Sequence, residues 1–204
     1  MNRLLIVFFS LMMSFPLFSQ EGKYELSVNG WPATLADFDS FRTEQSSTPQ
    51  GAVVSLLAAL DLFSKNEEEG RKALILILDA GSLTTDTSAK GYKGFNVSKN
   101  TLDLVRRQLS QNPNLTGSYL PGSSTQNGYT PSAPPYSFTL TANRYSGEVK
   151  NGAIKLFVPC SGASSPRPVS TKQNSKGAWK VSEFSSLLVG IAKPANQSNP
   201  ADDL

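Results

Sequence analysis

The chain reads as an α+β protein, with N-terminal helices packed on one face of a C-terminal, curved antiparallel sheet. Two observations predict this. Apolar residues recur at helical spacing between residues 49 and 110 and at strand spacing from residue 136 onward. Turn-forming clusters such as Asn174-Ser175-Lys176-Gly177 separate the later apolar runs by short gaps, as antiparallel neighbours require.

Residues 23–28, KYELSV, alternate Tyr24, Leu26 and Val28 with polar side chains, which predicts a short strand ended by Asn29-Gly30. Residues 35–47 carry a faint helical pattern. Thr48-Pro49 then supplies an N-cap and a first-turn proline, and Val53, Leu56, Leu57, Leu60 and Phe63 follow at helical spacing. On that reading Asp61 lies on the solvent side and pairs with Lys65 at i+4. Asn66 and Glu69 mark the start of a second helix through GRKALILILD, although its unbroken apolar run leaves a buried strand open. The acidic first turn favours the helix.

Residues 80–94 are rich in Gly, Ser and Thr and read as loop. A third helix is expected from Ser98, with Leu102, Val105 and Leu109 on one face and an Asp103–Arg107 pair on the other. Residues 112–135 are punctuated by proline and glycine. A loop of that length in a compact domain is commonly functional or mobile. Tyr136, Phe138, Leu140 and Ala142 alternate, as do Ile154, Leu156 and Val158. Trp179 with Val181, and Leu187 with Val189 and Ile191, mark two further strands.

The chain ends differ from this pattern. One positive charge, Arg3, precedes an apolar run over residues 4–18, and small Ser19 follows Pro16. This reads as a signal peptide over residues 1–19, cleaved near Ser19 or Gln20. The run is shorter than the ~20 residues of a comfortable membrane span. Export to the periplasm or medium, a single α+β domain over residues 20–194, no membrane-spanning segment in the mature chain and a disordered polar tail over 195–204 are the expectations. Lys and Arg number 19 against 16 Asp and Glu. This small, dispersed excess gives no nucleic-acid footprint. The one cysteine, Cys160, cannot form an internal disulfide, so packing must hold the fold.

The most informative absence is histidine. Without it, Ser-His-Asp and Cys-His catalysis in their usual forms are excluded, as are His-based metal sites, and one thiolate cannot build a cage. No phosphate-binding glycine loop or dinucleotide fingerprint occurs, so no cofactor is expected. GASSP at 162–166 departs from the nucleophile-elbow pattern at Pro166. Carboxylate chemistry stays open through Asp37, Asp39, Asp79 or Glu183, though nothing in their spacing brings two together. Cys160 follows an apolar strand and reads as an inert, buried thiol.

Binding chemistry is better represented. Pro166 and Pro168 flank Arg167, so its guanidinium is held with little entropy loss, either to grip a carboxylate or phosphate or to bond Glu183 or a backbone carbonyl. Tyr119, Asn127, Tyr129, Tyr136 and Arg144 together could form an aromatic, amide-rich surface suited to sugars or short peptides, or could pin the loop to the sheet.

Two segments carry a resemblance. GSYLPGSSTQNGYTPSAPP (117–135) and CSGASSPRPVSTKQNSKGAWKVSEFSSLLVGIAKP (160–194) resemble an uncharacterised bacterial family, a domain of unknown function. That resemblance implies no activity, substrate or catalytic residue. More loosely, helices followed by a sheet ending in GAWKVSEFSSLLVGI look like the nuclear-transport-factor-2-like cone, a fold that hosts enzymes and binding modules alike. The expected function is an exported, non-catalytic binding or interaction module, with an envelope protein, a glycan or a small molecule as partner. The alternatives are a pocket enzyme of lyase, isomerase or hydrolase type using Tyr and carboxylate groups, and a purely structural envelope protein.

Overall fold

The computed structural model describes residues 22–195. The expected signal peptide and all but the first residue of the expected tail lie outside them. In chain order the elements are β1 (Gly22–Val28), α1 (Leu35–Gln45), α2 (Pro49–Lys65), α3 (Glu67–Ile77), β2 (Leu83–Thr85), β3 (Phe95–Val97), α4 (Lys99–Gln111), β4 (Tyr136–Ala142), β5 (Gly147–Glu148), β6 (Ala153–Val158), β7 (Arg167–Gln173) and β8 (Trp179–Glu183). The fold is mixed α+β. The main sheet is antiparallel in the order β1-β4-β6-β7-β8, with β5 added to β6.

Strand alternation sorts the sheet into two faces. Phe138, Leu140, Ile154, Leu156, Val169, Trp179 and Val181 are buried against the helices. Ser137, Thr139, Lys155 and Lys172 point the other way and are exposed. Helix α2 crosses the buried face, touching β1, β6, β7 and β8, and packs against all three other helices. It is therefore buried all round from Ala52 to Phe63, and not on one stripe. Its small residues Ala52, Ser55, Ala58 and Ala59 are what let neighbours approach from every side.

This corrects the reading of Asp61. Its ion pair with Lys65 forms at 2.7 Å, but the carboxylate is buried. It also accepts bonds from Trp31 Nε1 at 2.9 Å and Thr116 Oγ1 at 3.2 Å. Three donors offset the cost of burying the charge.

Caps set the helix starts. Thr34 and Asp37 form a full capping box on α1. Thr48 caps α2, Asn66 caps α3 and Ser98 caps α4. Glu69 does not complete a box on α3; its carboxylate reaches Leu35 N at 2.8 Å and ties α1 to α3. Helices α2 and α3 meet at Gly70, where a Cβ would lie 2.0 Å from Phe63 Cα.

Four further expectations change. Residues 80–94 are not all loop, since Leu83–Thr85 pairs with Phe95–Val97 as a hairpin. Asp103 pairs with Lys99 and Arg106, at i−4 and i+3, and not with Arg107. Strand β7 (Arg167–Gln173) forms in a stretch where no alternation predicts a strand. The segment through Leu187, Val189 and Ile191 is a 3-10 turn over Ser185–Leu188 followed by extended chain, not a strand.

The far edge of β8 is covered. Trp179 N donates to Ser46 O at 2.9 Å, and Asp79 N donates to Val181 O at 2.7 Å. Lys180 Nζ donates to Leu76 O near the end of α3.

Candidate binding cleft

The reason residues 187–192 form no strand lies in their carbonyls. Tyr119 OH donates to Leu187 O at 2.8 Å, Arg167 Nη2 reaches Gly190 O at 3.5 Å, and Tyr129 OH donates to Ala192 O at 2.6 Å. Three side chains singled out from sequence thus converge on one strap of backbone. Ala192 N in turn donates to Gly162 O at 2.9 Å. Gly162 has no room for a side chain there, because a Cβ would stand 2.5 Å from Tyr129 OH and 2.7 Å from Ile191 Cβ.

Tyr119 is buried, and burial first, then the nearby Cys160 sulfur, pushes its phenol far above the usual tyrosine range. Tyr129 is shifted the same way by burial. Both phenols stay protonated and act as donors. The Arg167 guanidinium lies on the inner side of the sheet, since Arg167 stands opposite buried Val158. Its Nε is buried without a partner, and the expected contact with Glu183 does not form. Glu183 accepts from Ser185 N at 2.8 Å and from Ser185 Oγ at 2.5 Å, which holds its carboxyl below the usual range. Of the two internal partners expected for Arg167, the backbone carbonyl is the one present.

The other three candidates lie apart from this group. The Asn127 side chain accepts from Ser124 N at 2.9 Å and donates to Gly122 O at 2.8 Å and Thr130 O at 2.9 Å. It holds the long loop in shape. Tyr136 is buried, with its ring centroid 5.7 Å from Trp31. Arg144 is exposed and lies over the Tyr145 ring at 4.8 Å.

The long loop and the sheet enclose a cleft of about 260 Å³. It is lined by Ser118–Pro121 of the loop, by residues 137–140 of β4, and by residues 158–161 at the end of β6. Its origin is a failure of strand pairing. Between β4 and β6 the register has one rung, Thr141 opposite Phe157. Continued by two residues, that register would set Pro159 against Thr139. Proline has no N–H to donate, and the ladder stops there. Ser161 N turns instead to Ser118 O at 2.9 Å, and Ser161 Oγ bonds the same carbonyl at 3.0 Å.

The lining is apolar with a hydroxyl rim. Phe138, Leu140, Val158 and Tyr119 supply surface, and Ser118, Ser137, Thr139 and Ser161 supply hydroxyls. Among the described residues no charged side chain lines it. Cys160 contributes its sulfur, 3.4 Å from Ser118 Oγ. Sequence reasoning named Tyr119 and weighed Cys160 but missed the β4 wall; the available signal was Pro159, placed where a central strand would otherwise continue.

The cleft offers no carboxylate beside Tyr119, the pair that the pocket-enzyme alternative calls for. Among the described residues no three His, Cys, Asp or Glu side chains gather as a metal site would require. No described helix is long and apolar enough to cross a membrane.

With this architecture in place, the class of protein is an α+β domain with a neutral, strand-gap cleft. The chain belongs to the family described as Domain of unknown function (DUF6935), which it matches over residues 30–195. That span takes in the cleft, the strap and all four helices. Neither a curated protein nor a solved structure matches the chain.

Proposed function

We propose that the chain is an exported, non-catalytic binding module that takes an apolar group of its ligand into the cleft between β4 and β6. The observation that supports this reading is the lining itself, apolar surface ringed by hydroxyls and free of charge. Such a site gains from desolvating a small apolar body and uses hydroxyls to orient a polar handle. Its volume suits one ring system or a short acyl segment. Export rests on the charged, apolar and small-residue order of residues 1–19. The cone-shaped fold suggested by the order of elements is compatible with such a role and rests on that order alone.

Titration with the neutral apolar fluorophore N-phenyl-1-naphthylamine tests the cleft. Saturable enhancement is expected, and Ser161→Trp, at an exposed rim position, should remove it. Equal binding by wild type and Ser161→Trp would refute the assignment. Export is tested separately by N-terminal sequencing of the mature protein, where an intact Met1 would refute it.

A further inference from the structure

A second recess, of about 380 Å³, lies between the segment that follows β1 and the outer side of α1. One wall is residues 27–32. The other is the α1 face formed by Asp37, Ser40, Phe41, Glu44 and Gln45, spaced at helical i+3 and i+4 intervals. We propose that this groove is a docking site for a lysine or arginine side chain of a peptide partner.

Four features carry this. The charged residues lining the groove, Asp37 and Glu44, are both acidic, in a protein whose net charge is +3. Neither forms an ion pair with a described residue. Asp37 spends Oδ2 on the Thr34 N–H and hydroxyl, at 3.2 and 2.8 Å, and Glu44 makes no hydrogen bond to a described residue. The groove thus carries negative charge without a counter-ion among the described residues.

Its aromatic wall is rigid. Trp31 is tethered through Nε1 to buried Asp61 at 2.9 Å, stacks on Phe138 with centroids 6.0 Å apart, and meets Phe41 edge-on at 5.9 Å. A ring fixed in advance loses little entropy when a cation settles beside it, and indole is the best cation–π partner among the side chains. Carboxylates beside a fixed indole select a cation over a neutral group, because only the cation gains from both.

Gly30 is the place to fill the groove. Its φ is not positive, and a Cβ added there would meet nothing within 4 Å. Neither backbone conformation nor packing demands glycine at this place in the groove wall. A side chain added at this lining position would meet open space, so a large one can be introduced without a clash at its Cβ.

The test uses the folded protein and two peptides, acetyl-Gly-Gly-Arg-Gly-Gly-amide and its citrulline counterpart, which keeps the shape and removes the charge. The Trp31 indole N–H signal is followed by heteronuclear NMR. The arginine peptide should shift it saturably and the citrulline peptide should not. Glu44→Gln, an exposed change that leaves the capping box intact, should weaken the arginine peptide about threefold to fivefold, as expected for one exposed ion pair. Gly30→Phe should abolish the shift while leaving the melting temperature in place. An equal response to both peptides, as a neutral recognition groove would give, overturns the proposal. So does an unchanged affinity in Glu44→Gln, or the absence of any saturable shift.

Discussion

The cleft and the groove share one aromatic contact, for Phe138 lines the first and stacks on Trp31, which lines the second. They are nevertheless held open by different means. The cleft exists because a ladder between two strands stops at Pro159, and its walls are fixed by a strap that three side chains bind through its carbonyls. The groove has a loop wall tethered through Trp31 to one buried carboxylate, Asp61. Backbone irregularity makes a neutral recess here, and a polar tether under a surface loop makes a charged one. The difference teaches where each should fail: the cleft with the strap, the groove with Asp61.

Asp61→Ala should have the largest effect. It leaves the Trp31 indole and the Thr116 hydroxyl without their acceptor, and about 3 kcal/mol of stability should be lost in urea unfolding. A loss below about 1 kcal/mol would mean that Asp61 is no tether at all. Gly162→Ala comes next. The new methyl must displace Tyr129 OH and Ile191, at about 2 kcal/mol for overpacking, and it should weaken fluorophore binding in the cleft while leaving the Trp31 signal unchanged. If both recesses respond alike, the contrast between them collapses.

Tyr119→Phe removes one buried hydrogen bond to Leu187 O and should cost about 1 kcal/mol, read by thermal or urea unfolding. Smaller again, once water at its partly exposed ammonium is allowed for, is a pH effect at Lys180. Burial, then the nearby Arg42 charge, brings its pKa down to about 8 from 10.5. Between those values the unfolded chain binds a proton that the native state lacks, so this contribution to stability rises with pH. Wild type should therefore gain on Lys180→Met as pH is raised from 8 to 10. A flat difference between the two would show that Lys180 is not desolvated.

How far these features could be read in advance follows from how local their causes are. Thr48-Pro49, Asn66 and Ser98 are caps whose chemistry is confined to one turn, and the helices begin where those residues place them. The alternation in β1, β4 and β6 survives because one face of each strand meets the core. Strand β7 was hidden because Arg167, Pro168, Ser170 and Lys172 mask its buried residues, Val169 and Thr171. The 187–191 segment alternates like a strand, yet its bonding is decided by Tyr119 and Tyr129, some sixty residues or more away. Asp61 sat at a helical position that a single amphipathic stripe would expose, and only the number of elements packed round α2 buries it. The cleft was half visible for the same reason: Tyr119 and Cys160 stood out, whereas the β4 wall depends on a register between distant strands.

Closure of the β8 edge has a consequence for how the molecule assembles. Ser46 O, Val181 O and Leu76 O find their partners only across the helix–sheet boundary, and the Lys180–Leu76 bond spans 104 residues. A chain emerging from the ribosome completes its helices long before the strand that seals them is made. Contacts of such sequence separation slow folding, because the intervening chain must be ordered before they form. The helical layer should therefore acquire its final protection against amide exchange last at Asp79, whose N–H is held by Val181 O, in step with residues 179–183.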